Sequence, residues 1–195
     1  MKAKWMLLLT GLLILALGLG AGLYRAFAQP PTPSPLAAYV LPAEAFPHSQ
    51  RLAEGPLSPQ DLSQPLNPNN LAPMGIGEEP LRFQEGYGRT LALWDAASAT
   101  LVSHFLYRYP NPDQARRIAE ALARGWQMVP QPAETQPVEG GWWLSTRDSE
   151  GGFLQVLLQT RGEILSLLIV NGDGEARVRA AMDRATQALP IPPER

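Results

Sequence analysis

The sequence predicts an α+β fold: an antiparallel β-sheet of about five strands with helices packed on it, preceded by one N-terminal transmembrane or signal helix. Three observations carry this reading. An uncharged apolar run occupies the N-terminus. Period-two alternation begins only after Gly86, in segments joined by turns too short for parallel crossovers. Two later segments place apolar residues at helical spacing between recognisable caps. The expected order after Gly86 is β-β-α-β-β-β-α.

Lys2 and Lys4 precede a run without charge from Trp5 to Tyr24. Its 20 residues are the length a helix needs to cross the hydrocarbon core. Arg25 closes the run. The two lysines and the amino terminus outweigh Arg25, so the N-terminus is expected in the cytoplasm and everything beyond it outside. Two readings of residues 1–28 stand. An uncleaved anchor fits an apolar core longer than the ~7–15 residues of a signal-peptide core. A cleaved signal fits the small-residue site Ala26-Phe27-Ala28, with cleavage after Ala28. The first gives a single-pass protein of the cell membrane, held through residues 5–24; the second gives a secreted or periplasmic one. Gly18 and Gly22 form a G-x-x-x-G that ordinary glycine enrichment in membrane helices explains.

Composition narrows the chemistry. The chain has no cysteine, which excludes disulfides, thiol catalysis, Cys-ligated zinc, iron–sulfur clusters and a lipid-modified N-terminal cysteine. Lys2 and Lys4 are the only lysines, and from Pro30 onward 13 arginines face 18 acidic residues. A net charge near -5 in that part speaks against a nucleic-acid partner and against adhesion to anionic lipid.

Residues 30–80 hold 12 of the 20 prolines. Residues 29–35 are expected as an extended spacer of about 20 Å. Residues 36–86 follow as a loop-rich segment packed on the core, because Leu36, Leu41, Leu57, Leu62, Leu66, Leu71, Met74 and Ile76 are too many apolar residues for a disordered tail. One helical turn is expected at Ala43–Phe46 and another at Ser58–Leu62, where Ser58 precedes Pro59 at a first helical position. No strand is expected in this half.

The core is expected over 87–195. Tyr87–Asp95 and Thr100–Tyr109 alternate as strands, with Leu91 and Leu93 on one face and Thr90, Ala92 and Trp94 on the other. Asn111 caps a helix that Pro112 opens. Ala115, Ile118, Ala119 and Leu122 form its stripe and Gly125 is expected to stop it. Residues 127–140 read as a loop. Gly141–Arg147, Phe153–Thr160 and Glu163–Val170 are strands; Arg161-Gly162 is the two-residue turn between the last two, with positive φ expected at both turn positions. The last strand is apolar almost throughout and is expected to be central, covered on both sides. Val178, Ala181, Met182, Ala185 and Leu189 mark a final helix from Glu175 to about Leu189.

Leu41-Pro42-Ala43-Glu44-Ala45-Phe46-Pro47, Gly86-Tyr87-Gly88-Arg89-Thr90, Tyr107-Arg108-Tyr109-Pro110 leading into Asp113-Gln114-Ala115, and Arg161-Gly162 between apolar strands resemble exported bacterial domains of the broad PsbP/Mog1/LpqN-like kind. The resemblance covers roughly 36–189. It implies an α/β sandwich used for binding or assembly and carries no catalytic residues across. Many such proteins are lipoproteins, and this chain lacks their lipid-bearing cysteine.

No catalytic, cofactor-binding or metal-binding residue is assigned. His48 and His104 are the only histidines. Ser103 and His104 are adjacent on a strand and point to opposite faces, so they make no nucleophile–base pair; His104 reads as a satisfied core or edge residue. Asn171, Asp173 and Glu175 offer alternate oxygens but lack the rest of a calcium loop, and capping of the last helix by Asp173 or Gly174 accounts for them. Gly86-Tyr87-Gly88 has no following helix and reads as a strand start. Trp142 and Trp143 fall on opposite faces of one strand, one in the core and the other a candidate binding anchor.

The resulting expectation is a membrane-tethered extracytoplasmic domain without catalytic activity that binds an envelope protein partner or assists assembly. The alternatives are a small-molecule or sugar-binding domain built on Trp142 or Trp143, and a hydrolase. Protease added to intact spheroplasts should degrade residues 30–195; digestion only after lysis would place the domain on the cytoplasmic side.

Overall fold

The structure is a computed structural model that describes residues 34–62, 64–95, 98–129, 132–147 and 152–190. The expected membrane segment 5–24 and the cleavage site after Ala28 lie outside the described residues. Among the described residues no helix is long and apolar enough to cross a membrane.

Seven strands form one sheet: β1 (Gln50–Pro56), β2 (Glu85–Trp94), β3 (Ala99–Arg108), β4 (Glu134–Val138), β5 (Gly141–Arg147), β6 (Phe153–Arg161) and β7 (Ile164–Gly172). Among the described residues three α-helices accompany them, the single turn α1 (Pro68–Leu71), α2 (Pro112–Met128) and α3 (Glu175–Ala188), with short 3-10 helices at Pro35–Tyr39, Ala43–Ala45, Ala72–Met74 and Glu79–Leu81. All strand pairs are antiparallel, in the order β1-β2-β3-β7-β6-β5-β4. The α+β class holds, but the expected count of about five is corrected to seven.

The two additional strands are the sheet edges, and their composition explains why they were read as loops. β1 is Gln-Arg-Leu-Ala-Glu-Gly-Pro, mostly exposed, with a register shift between Arg51 and Ala53. β4 contains Pro137, which only an edge tolerates. Neither buries enough apolar surface to show alternation. Each is held by the backbone of a neighbour whose pattern is strong.

Register sorts the interior strands into two apolar faces. Phe105, Tyr107, Leu144, Val156, Leu158, Leu165 and Leu167 lie under α2. Leu91, Val102, Phe153, Leu157, Leu168 and Val170 lie under α3. β7 sits between β3 and β6 and is buried on both faces, which is why its sequence is nearly continuous apolar.

α2 starts as its sequence dictates: the Asn111 side chain accepts a hydrogen bond from the Gln114 amide at 2.8 Å and Pro112 occupies the first turn. Ala115, Ile118, Ala119 and Leu122 are buried. Full burial of Ile118 and Leu122 contributes ~1.5–3 kcal/mol each. Gly125 does not stop the helix. It is buried one turn before the end, and a Cβ there would lie 2.8 Å from both Met74 Cβ and Ile76 Cδ1. The glycine lets the 74–76 segment pass against the helix. On the opposite face α3 buries Val178, Ala181, Met182 and Ala185.

The proline-rich half covers what two helices leave bare, on both faces. Leu36 and Val40 close over Leu106 and Ile164, and Leu41 and Phe46 join the cluster under α3. Leu57, Leu66, Leu71, Ile76, Leu81 and Phe83 pack on the α2 side. Ser34 already contacts the sheet: its hydroxyl donates to Glu85. At Ser58–Leu62, where a short helical turn is expected, the chain makes one turn, with Asp61 N–H on Ser58 C=O at 3.0 Å. A further helical turn falls at α1, where Asn67 accepts from the Asn70 amide at 3.1 Å and Pro68 follows the cap.

The β6–β7 turn is shifted by one residue from the expected position. Arg161 pairs with Ile164, so the loop is Gly162-Glu163. Gly162 has φ +54°, whereas Glu163 is not left-handed. One positive φ at the first turn position is the type II′ pattern, not I′. A Cβ on Gly162 would meet nothing within 4 Å, so a substitution there tests backbone conformation alone. Gly162→Val should destabilise the protein by about 1–3 kcal/mol and Gly162→Asn by less, since Asn tolerates the left-handed region. Equal denaturation midpoints for parent and valine variant would show that the turn is placed wrongly.

Candidate binding surfaces

β5 sets Trp142 opposite Leu158 and Trp143 opposite Leu157. Alternation sends the two indoles to opposite faces. Trp142 completes the cluster under α2 and Trp143 the one under α3, and both are half-buried. They make no joint site, and neither lines the clefts described for this domain. Among the described residues the exposed tryptophan is Trp94, 62% accessible, whose indole N–H donates to Gln50 Oε1 at 3.0 Å. It is the last residue of β2, and that terminal place beside the hairpin loop was the signal in the sequence.

His104 is 2% exposed on β3, on the α3 face. Its Nδ1 accepts from the Leu41 amide at 2.9 Å, and its Nε2 is 2.8 Å from Ser166 Oγ. An amide cannot accept, so Nδ1 is unprotonated and Nε2–H donates to the serine. Burial, and then the Arg89 charge, press its pKa down to about 3. Arg89 Nη1 donates to the Leu41 carbonyl at 2.5 Å, and Nη2 pairs with Glu54 Oε1 at 2.5 Å. Tyr87 donates to the same Glu54 oxygen at 3.0 Å. The Arg89 hydrogen bond holds the Glu54 carboxyl below its usual range, against burial. This network grips both backbone groups of Leu41. It is structural: the imidazole is neutral, enclosed and already bonded at both nitrogens.

His48 is exposed in the turn after Phe46, with φ +70°. Tyr107 and Tyr109 are buried phenols whose pKa values burial raises far above the physiological range. Asn171, Asp173 and Glu175 form no ligand set. Among the described residues no group of three or more His, Asp or Glu is placed to hold a metal ion. Gly174, not Asp173, occupies the cap of α3 and gives no side-chain bond.

An apolar opening lies beside α2. The Met74–Pro80 segment and the helix leave a groove of about 490 Å³ lined by Ile76, Ile118, Ala121, Gly125 and Met128. The stripe 118, 121, 125, 128 follows helical spacing and ends on Met128, which is 73% exposed. Glu78 and Glu79 stand on one bank and Arg124 on the other. Arg117 reaches Glu79 across the banks at 3.6 Å.

No protein-family model matches the chain, and no curated protein matches it. The likeness to PsbP/Mog1/LpqN-like domains therefore rests on element order and short strings alone. Among solved structures the chain is similar to the extracellular domain of PknH from Mycobacterium tuberculosis, at 13% identity and a TM-score of 0.48, over 82% of this chain and 98% of that one.

The His104 geometry has a pH consequence. Unfolded, the imidazole returns to its ordinary pKa of 6.5; folded, it stays near 3. Between these values the unfolded chain binds a proton that the folded chain does not. The contribution is complete above pH 6.5 and is lost as pH falls toward 3, with a slope approaching ~1.4 kcal/mol per pH unit. Stability curves of parent and His104→Gln should differ by that slope across the window. Parallel acid limbs would show that His104 is not held neutral.

Proposed function

We propose that this protein is a non-catalytic extracytoplasmic binding domain, tethered to the membrane through residues 5–24, that takes a helical segment of an envelope protein partner into the groove beside α2. The observation that carries the reading is the groove beside α2, floored by buried Ile118 and Gly125 and open over Ala121 and Met128. An apolar stripe at helical spacing is surface for packing another element. The eleven residues of α2 from Ile118 to Met128 rise ~15 Å, about three turns of a partner helix. The rims add orientation: a helix with basic residues along one flank and acidic ones along the other meets Glu78 and Glu79 on one bank and Arg124 on the other. The alternative of a sugar site on Trp142 or Trp143 has less support, because the two half-buried indoles face opposite sides of the sheet and line none of the three clefts.

The absence of native cysteine makes single-cysteine probes clean. A photo-crosslinker at Met128→Cys in intact membranes should trap one protein of defined size, whereas Arg116→Cys, on an exposed position outside the groove, should not. Adding Ala121→Arg to fill the groove should abolish the adduct. Equal capture from both positions, or an adduct that survives Ala121→Arg, would overturn the groove as the docking site.

A further inference from the structure

The sheet end that carries Trp94 and the β6 start holds a second, polar cleft of about 460 Å³, on the α3 face. Its floor is Phe153, 7% exposed. Arg147 from β5 and Arg179 from α3 each place a guanidinium 5.8 Å from the centre of that ring. Glu175 lies between them, 2.6 Å from Arg179 Nη2 and 3.4 Å from Arg147 Nη2. Two cations from different elements thus converge over one ring and share one carboxylate. Both arginines are more than half exposed, so their charges are open to a ligand.

The opposite wall supplies acceptors. Glu134 of β4 and Ser145 of β5 line the cleft and are cross-strand partners. Ser145 is in turn opposite Gln155, which shares the Phe153 face of β6. Gln155 is 4% exposed, and its Oε1 is buried without a hydrogen-bond donor. Gln155 lies behind the lining serine and is not itself part of the cleft wall.

We propose that the cleft between β4–β6 and the start of α3 binds a small polar ligand that carries an oxyanion for Arg147 and Arg179 and hydrogen-bond donors for Glu134 and Ser145. A hydroxylated sugar acid and an amino acid both present that chemistry. The site is independent of the α2 groove and lies on the other face of the sheet.

Glu175 makes the proposal testable, since it competes with the ligand for both guanidiniums. With the full chain in detergent, ligand-observed NMR and calorimetry would titrate D-glucuronate, L-alanine, D-glucose and inorganic sulfate. Glucuronate or alanine should bind at millimolar concentration or tighter, and which of them does identifies the source of the oxyanion. Arg147→Ala/Arg179→Ala should weaken that binding at least tenfold, with unchanged melting as the folding control. Glu175→Gln should tighten it several-fold, an effect that a merely structural Glu175 would not produce. The proposal is overturned if neither acid binds, if glucose or sulfate binds as tightly as the acids, or if Glu175→Gln leaves affinity unchanged.

Discussion

The structure follows from one constraint: a sheet whose central strand is apolar on both faces must be covered twice. β7 contributes Leu165 and Leu167 to one cluster and Leu168 and Val170 to the other. Only two α-helices of more than one turn exist among the described residues, and each covers part of one face. The remaining apolar area would stand in water without the proline-rich half. That half is therefore a pair of irregular layers, Ser34–Phe46 over one face and Leu57–Phe83 over the other. Proline suits it, because a segment that fixes its own backbone loses less entropy on packing than a flexible one.

Irregular layers bring backbone groups that no ladder satisfies, and the buried polar residues answer this need. Leu41 has no strand partner, so His104 accepts from its amide and Arg89 donates to its carbonyl. Glu54 then neutralises Arg89, and Tyr87 fills a further lone pair of Glu54. On the other face Tyr109 donates to the Pro80 carbonyl at 2.7 Å, and Asn67 Nδ2 donates to the Gln64 carbonyl at 2.6 Å. Polar side chains in the core thus do for loops what neighbouring strands do for β-sheet.

Legibility in the sequence tracks how much each element buries. Gly141–Arg147 and the start of α2 were readable because alternation and the Asn-Pro cap act locally. β1 and β4 were not, since an edge strand takes its structure from its neighbour's backbone. Gly125 was misread because a glycine near a helix end looks the same whether it caps the helix or admits a passing chain; only the position of Met74 and Ile76 separates the two. Of the candidate surfaces, the Trp142/Trp143 pair was visible as alternation, but its split between two cores depended on which helix lies over which face. The groove beside α2 joins Met74–Pro80 to residues 38 or more positions later, and the arginine cleft joins Arg147 to Arg179, 32 positions apart; no local pattern marks either.

The clamp on Leu41 also gives the domain a mechanical character. The described chain enters at Ser34, and the layer from Pro35 to Phe46 is attached along its length by separate contacts instead of a ladder. A pull on its leading end loads these one after another: first the Ser34–Glu85 bond, then the Leu36 and Val40 packing, then the two bonds at Leu41. Bonds loaded in sequence yield at low force, whereas the ladders between β2, β3 and β7 carry many bonds at once. Tension at the N-terminal end is therefore spent on peeling this layer as far as Leu41 before it reaches the sheet, and the network around Arg89 and His104 acts as the arrest point.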